Sequence, residues 1–222
     1  MTKRSGLLVR LLNVLLLCAA FAARADTTDS LIQRVEQRYN NARTLSVNFV
    51  ENYSMQGHLR QPESGTLTLR KIGKMRWDYV QPRGKLFISD GKSVYLYTAQ
   101  DNRVEKWKLK DTEDMRAPLA FLLGKMDMKR EFRDFQMHAG DGGTWLDASA
   151  KNDRVPYEKL QMLIAPDSSI RQLKVVGRDQ SVLSFTFEGE RLNAPVSDEV
   201  FHFTIPPDAQ VVDSVSAGAQ GQ

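Results

Sequence analysis

In run after run between residues 45 and 205, the apolar side chains of this sequence fall at every second position. No other feature constrains the fold as much. Leu45, Val47 and Phe49 alternate with Ser46 and Asn48, Leu67 and Leu69 with Thr66, Thr68 and Arg70, and Met75, Trp77 and Tyr79 with Arg76 and Asp78. The pattern returns in Leu160, Met162 and Ile164, in Ile170 to Val176, in Leu183, Phe185 and Phe187, and in Phe201, Phe203 and Ile205. Successive side chains of a strand point to opposite faces, so each run predicts a strand with one buried face. The runs are joined by short turns such as Pro166-Asp167-Ser168-Ser169, which predicts an antiparallel meander and not a βαβ fold. Asp90-Gly91 is the strongest hairpin signal, and its flanks, Leu86-Phe87-Ile88 and Val94-Tyr95-Leu96-Tyr97, are apolar on both faces. Something is therefore expected to cover the sheet on both sides there.

Two stretches break the period. Leu31, Val35 and Tyr39 recur every four residues, and Ile32 widens the stripe. This predicts a helix with Ser30 and Gln33 as a capping box and Asn40-Asn41 as its stop. Thr112 to Gly124 opens after Asp111, carries Met115, Leu119, Phe121, Leu122 and Leu123, and is bent or broken by Pro118. Its apolar residues nearly encircle a short helix, so it is expected either to plug the sheet as core or to act as a lid.

Residues 1–25 read as a cleavable signal peptide. Lys3, Arg4 and Arg10 precede a short apolar core from Leu11 to Phe21, and Ala23-Arg24-Ala25 is a small-x-small cleavage site, with Ala22 as an alternative cut. The apolar run is shorter than the roughly 18–20 residues needed to span a bilayer. The only cysteine, Cys18, follows Leu17 and so lacks the small residue that precedes a lipidated cysteine. The leader also holds four of the 31 basic residues and none of the 27 acidic ones, so 27 of each remain in the mature chain. The formal charge of +4 is a property of the leader, and nucleic acid is not an expected partner. Residues 26–213 are expected to form one domain, with 214–222 as a flexible tail.

Little in the mature sequence points to catalysis or to a cofactor. His58, His138 and His202 are far apart and none has a partner at metal-ligand spacing. No G-x-S-x-G elbow, phosphate-binding loop or dinucleotide fingerprint occurs, and Asp141-Gly142-Gly143 reads as a turn. The informative excess is apolar. Seven methionines (Met55, Met75, Met115, Met126, Met128, Met137 and Met162) lie outside the leader, and methionine suits a surface that accepts variable apolar shapes.

The stretch from Gly65 to Pro82, followed by Ile88-Ser89-Asp90-Gly91-Lys92 and a Tyr-rich strand to Tyr97, resembles the LolA family of periplasmic lipoprotein carriers. The order of elements around it fits as well: an N-terminal helix, the Phe49 strand, the Ala117-Pro118 segment and the ending Phe201-x-Phe203-x-Ile205-Pro206-Pro207. The resemblance implies a mainly β fold, a curved antiparallel open half-barrel with an N-terminal helix and a lid helix enclosing an apolar cavity. It implies a monomeric, non-catalytic periplasmic carrier without a cofactor, which binds the acyl chains of outer-membrane lipoproteins. Such a carrier receives them from an inner-membrane lipoprotein-releasing ABC transporter and passes them to an outer-membrane acceptor. The cavity would be lined by Leu67, Leu69, Met75, Trp77, Tyr79 and Ile88, and closed by Leu119, Phe121, Leu122 and Leu123. The family carries an arginine after the second strand, bonded to the lid and followed by a proline. Here the matching positions are Lys71 and Ile72, so Lys71 is the expected lid latch, weaker than an arginine fork, while Arg70 points outward. Two rival readings are a lipid-binding or envelope-stress sensing module on the same fold and an uncharacterised periplasmic hydrolase.

Overall fold

A computed structural model describes residues 27–109, 126–153 and 155–213. The leader, the tail and the expected lid segment, with Leu119, Phe121, Leu122 and Leu123, lie outside the described residues. The chain opens with helix α1 (Thr28–Asn41), whose cap sits three residues earlier than expected. Thr27 Oγ1 accepts from the Ser30 N–H at 3.2 Å while Ser30 Oγ accepts from the Thr27 N–H at 3.1 Å. Serine thus takes the reciprocal role that glutamate or glutamine usually fills.

Strands β1 (Thr44–Met55), β2 (His58–Leu59), β3 (Glu63–Arg70), β4 (Lys74–Gln81), β5 (Lys85–Asp90), β6 (Ser93–Thr98) and β7 (Arg103–Lys108) follow. A single-turn helix, α2 (Met128–Glu131), leads into β8 (Phe132–Gly140), β9 (Gly143–Ala150), β10 (Tyr157–Ile164), β11 (Ile170–Gly177), β12 (Ser181–Leu192) and β13 (Gln210–Asp213). They form one open sheet in the order β13-β7-β6-β5-β4-β3-β1-β12-β11-β10-β9-β8, with β2 hanging from β1. The two meanders meet where β1 pairs with β12, Phe49 lying opposite Phe187. All the pairings are antiparallel except β13 beside β7, which is parallel. Register shifts at Ser46/Asn48, Ser64/Gly65 and Arg133/Gln136 mark bulges, which sharpen local twist and let one sheet curl into a half-barrel.

Alternation decides what goes inside. Leu45, Val47 and Phe49 of β1, Leu67 and Leu69 of β3, Met75 and Trp77 of β4, and Phe185 and Phe187 of β12 share one buried cluster with Leu31, Ile32, Val35 and Tyr39 of α1. The helix fills the concave side of the sheet and buries its four-residue stripe there.

The convex side of β5 and β6 is covered too, by a segment the sequence reads wrongly. Phe201, Phe203 and Ile205 do not form a strand. Asp198–Phe201 is a 3₁₀ turn capped by Ser197, and the chain then runs across the outer face before Pro206-Pro207. There Phe201 is buried, and Phe203 packs 5.5 Å from Tyr95 and 5.9 Å from Tyr97, ring centre to ring centre. Arg70 Nη1 donates to the Val196 carbonyl and to Asp198 Oδ1, both at 3.1 Å, and Arg76 Nη1 donates to the Val200 carbonyl at 3.1 Å. Arg70 therefore points outward, and the double-sided hairpin finds its second cover.

Candidate functional site: the apolar concave face

The floor of the half-barrel is an aromatic cluster at the centre of the sheet. Phe49 meets Trp77 edge-on at 4.6 Å and Tyr79 at 5.3 Å, Trp77 lies 5.6 Å from Phe185, and Phe185 stacks on Phe187 at 5.7 Å. Beside these rings lies Gly65 of β3, opposite Phe49 of β1 and Tyr79 of β4. A β-carbon at Gly65 would come within 2.0 Å of the Asp78 carbonyl oxygen. Glycine there lets β3 and β4 approach closely beside the rings.

Of the expected cavity residues, the structure brings Leu67, Leu69, Met75 and Trp77 together in the buried concave cluster, with Tyr79 partly buried against it. Ile88 does not join them. It pairs with Arg76 and Tyr95, one residue out of phase with Phe87, which pairs with Trp77. Ile88 therefore packs on the convex side beneath the Phe201 segment, and Phe87 is the inward residue of β5. Leu146, Leu160, Met162 and Leu173 of the C-terminal meander complete the concave face, and the same two-residue period identifies them.

The segment that Lys71 is expected to latch lies outside the described residues; among the described residues Lys71 fastens α1. Its Nζ donates to the carbonyls of Tyr39 at 2.7 Å and Asn40 at 3.1 Å, part-buried acceptors at the C-terminus of α1. A cation at a helix C-terminus satisfies free carbonyls and complements the dipole. Burial lowers the Lys71 pKa from its ordinary value. Ile72, beside it, is exposed.

A second anchor for α1 was not evident in the sequence. Glu190 of β12 accepts from Arg38 at 2.6 Å and 3.1 Å through Oε1, and from the Tyr39 hydroxyl at 2.6 Å through Oε2. The Tyr39 oxygen in turn accepts from the Ile170 N–H at 2.8 Å. At the other side, Asn40 exchanges two hydrogen bonds with the Met126 backbone, at 2.7 and 2.8 Å, and the Met128 N–H donates to Glu36 at 2.6 Å. Among the described residues, a cavity of about 20 Å³ between helix and sheet is lined by Tyr39, Leu45, Val47, Leu67, Ile170, Leu173, Phe187 and Glu190. That is room for about one water-sized sphere.

Burial and the neighbouring Glu190 carboxylate push the Tyr39 phenol well above its ordinary pKa of 10.0. The unfolded chain releases that proton more readily, so the stabilisation is complete below about pH 10 and is lost as pH rises further. Between pH 9 and pH 11 the denaturant midpoint is expected to fall more steeply for the wild type than for Tyr39→Phe. Equal slopes would remove Tyr39 as the source. For Arg38, burial acts to lower the pKa, but the hydrogen bond and charge of Glu190 outweigh it and the value rises.

Among the described residues no three His, Asp or Glu side chains converge as a metal site. No described helix is long and apolar enough to cross a membrane.

Fold and site together define a class: an open, one-sheet half-barrel whose concave face is apolar and is filled by the chain's own helix. Residues 40–204 match the family model described as outer membrane lipoprotein carrier protein LolA, and the chain belongs to that family. It is 28% identical over 203 residues to an outer-membrane lipoprotein carrier protein of Cupriavidus necator, covering 88% of this chain and 95% of the relative. To the carrier protein of Nitrosomonas europaea it is 25% identical over 206 residues, covering 92% and 99%. Among solved structures it is similar to an uncharacterized conserved protein from Thermus thermophilus (TM-score 0.51, 11% identity, 85% of this chain and 100% of the other). It is also similar to MucB (TM-score 0.51, 11% identity, 83% and 64%). At such identities the two structures share the fold alone.

Proposed function

We propose that the protein is a non-catalytic periplasmic carrier that shields lipoprotein acyl chains between the inner and outer membranes. In this reading it takes them from an inner-membrane lipoprotein-releasing ABC transporter and gives them to an outer-membrane acceptor. The observation that carries the proposal is the concave face itself, a continuous apolar surface across both meanders in a chain of the lipoprotein carrier family. An acyl chain gains about 0.8 kcal/mol per buried methylene, so it cannot cross water unshielded at useful rates. A site that kept all of that energy would never release its cargo. Here Leu31, Ile32, Val35 and Tyr39 already occupy the face. Loading must displace or repack part of this filling, and the lost contacts offset part of the gain.

Leu67, Leu69, Met75, Trp77 and Tyr79 would contact acyl chains, with Leu119, Phe121, Leu122 and Leu123 added from the segment outside the described residues. Lys71 would act by fastening α1. Lys71→Ala is expected to destabilise the fold by about 1–2 kcal/mol and to speed both uptake and loss of lipid. Unchanged stability and exchange, followed by unfolding and by transfer of a fluorescent lipid, would count against that role. The carrier reading is tested by adding the purified protein to spheroplasts making labelled lipoproteins. Soluble complexes of carrier and lipoprotein are expected in the medium, and lipoproteins that stay membrane-bound would overturn the proposal.

A further inference from the structure

We propose that the indole N–H of Trp77 is a recognition group that donates to the ester carbonyl of a bound acyl chain. The inference rests on the carrier reading and adds to it what the concave face recognises besides hydrocarbon. Trp77 is 3% exposed, and its Nε1 finds no acceptor among the described residues. Its surroundings are carbon: the rings of Phe49 and Phe185, and across the strands Leu67 and Phe87. An indole N–H can only donate, and a buried one normally has a partner. The buried aromatic residues of the neighbouring strands β1, β5 and β12 are phenylalanines (Phe49, Phe87, Phe185 and Phe187), which fill space without a polar atom. At position 77 the chain carries a donor whose acceptor is not supplied from within the described fold.

The chemistry of that acceptor is narrow. A saturated chain has none. A carboxylate would bring an uncompensated charge among Phe49, Phe185 and Leu67, where desolvation is most costly. An amide carbonyl would bring its own N–H, leaving a new donor unpaired in the same apolar surroundings. An ester carbonyl brings acceptors only, and it sits at the head of a chain the face would otherwise hold by hydrocarbon contact.

The test uses 1-palmitoyl-lysophosphatidylcholine and 1-O-hexadecyl-lysophosphatidylcholine, which differ in one carbonyl. The wild-type protein is expected to bind the ester about tenfold more tightly than the ether. In Trp77→Phe the preference should fall below about twofold; the smaller ring also changes the packing, so the affinities for both lipids should shift together and only their ratio reads the donor. In wild-type protein labelled with ¹⁵N-tryptophan, the Trp77 indole resonance should move downfield with the ester and not with the ether, a readout that does not require the variant to fold. A preference retained in Trp77→Phe, equal wild-type affinities, or an indole resonance unmoved by the ester overturns the role of Trp77 alone. A wild-type protein that binds neither lipid overturns the acyl-binding reading and this inference with it.

Discussion

Replacing Glu190 by alanine is expected to lower the unfolding free energy by about 2–4 kcal/mol. Its carboxylate is 11% exposed and accepts three hydrogen bonds, two from Arg38 and one from the Tyr39 hydroxyl. Truncation strands both partners. Tyr39 is buried and keeps only the bond it accepts from Ile170, so its hydroxyl proton has nowhere to go. Arg38 retains the Asp167 carbonyl at 3.1 Å and some access to water, which keeps the loss below that of a fully buried ion pair. Glu190→Gln keeps an acceptor and should cost about half as much. In a double-mutant cycle with Tyr39→Phe, denaturant unfolding should show a coupling of at least about 1 kcal/mol. Additive losses would mean that the carboxylate does not fasten α1 through Tyr39.

The sheet was legible because its signal is local and repeated. Leu45 to Phe49, Leu67 to Leu69, Met75 to Tyr79 and Leu183 to Phe187 each state a face, and a face is all that a strand needs to be recognised. Phe201, Phe203 and Ile205 show the limit. Their alternation is real, but their partners are Tyr95, Tyr97 and the convex side of the hairpin, not a neighbouring strand. Period two reports which side chains share a surface, and it cannot say whether the backbone joins a ladder. Strand β13, parallel to β7, is likewise fixed by a return of the chain from across the convex face, which no local pattern announces.

The site divides along the same line. Trp77, Met75, Leu67 and Leu69 follow from alternation alone. Ile88 was misplaced because Leu86-Phe87-Ile88 is apolar throughout, and only the pairing of Trp77 with Phe87 decides which residue turns inward. The family pattern pairs Lys71 with a lid that lies outside the described residues, while its bonds to the α1 carbonyls, 31 and 32 residues away in the chain, have no local signal in the sequence. Glu190 was invisible for a simpler reason. It is one of many carboxylates on strands, and what sets it apart is Arg38 and Tyr39, more than 150 residues away.

Phe49→Ala is expected to cost about 3–5 kcal/mol and to lower the melting temperature by about 10 °C. Phe49 sits in β1, the strand that joins the two meanders, and its ring touches Trp77 and Tyr79 beside the side-chain-free Gly65. Gly65, opposite Phe49, has no side chain to move into the gap. The variant should therefore keep a real cavity on the concave face, and much of the lost stability should be recoverable. If this face holds acyl chains, a chain can occupy the vacated volume, and binding to the folded state alone raises stability by RT ln(1 + [L]/Kd). Lysolipid at one fixed concentration should thus raise the melting temperature of Phe49→Ala by more than it raises that of the wild type. The same addition to Ile88→Ala, a truncation on the convex side beneath Phe201, should give no such excess. A rescue of equal size in both variants would mean that lipid stabilises the fold from outside, and that Phe49 is core and nothing else.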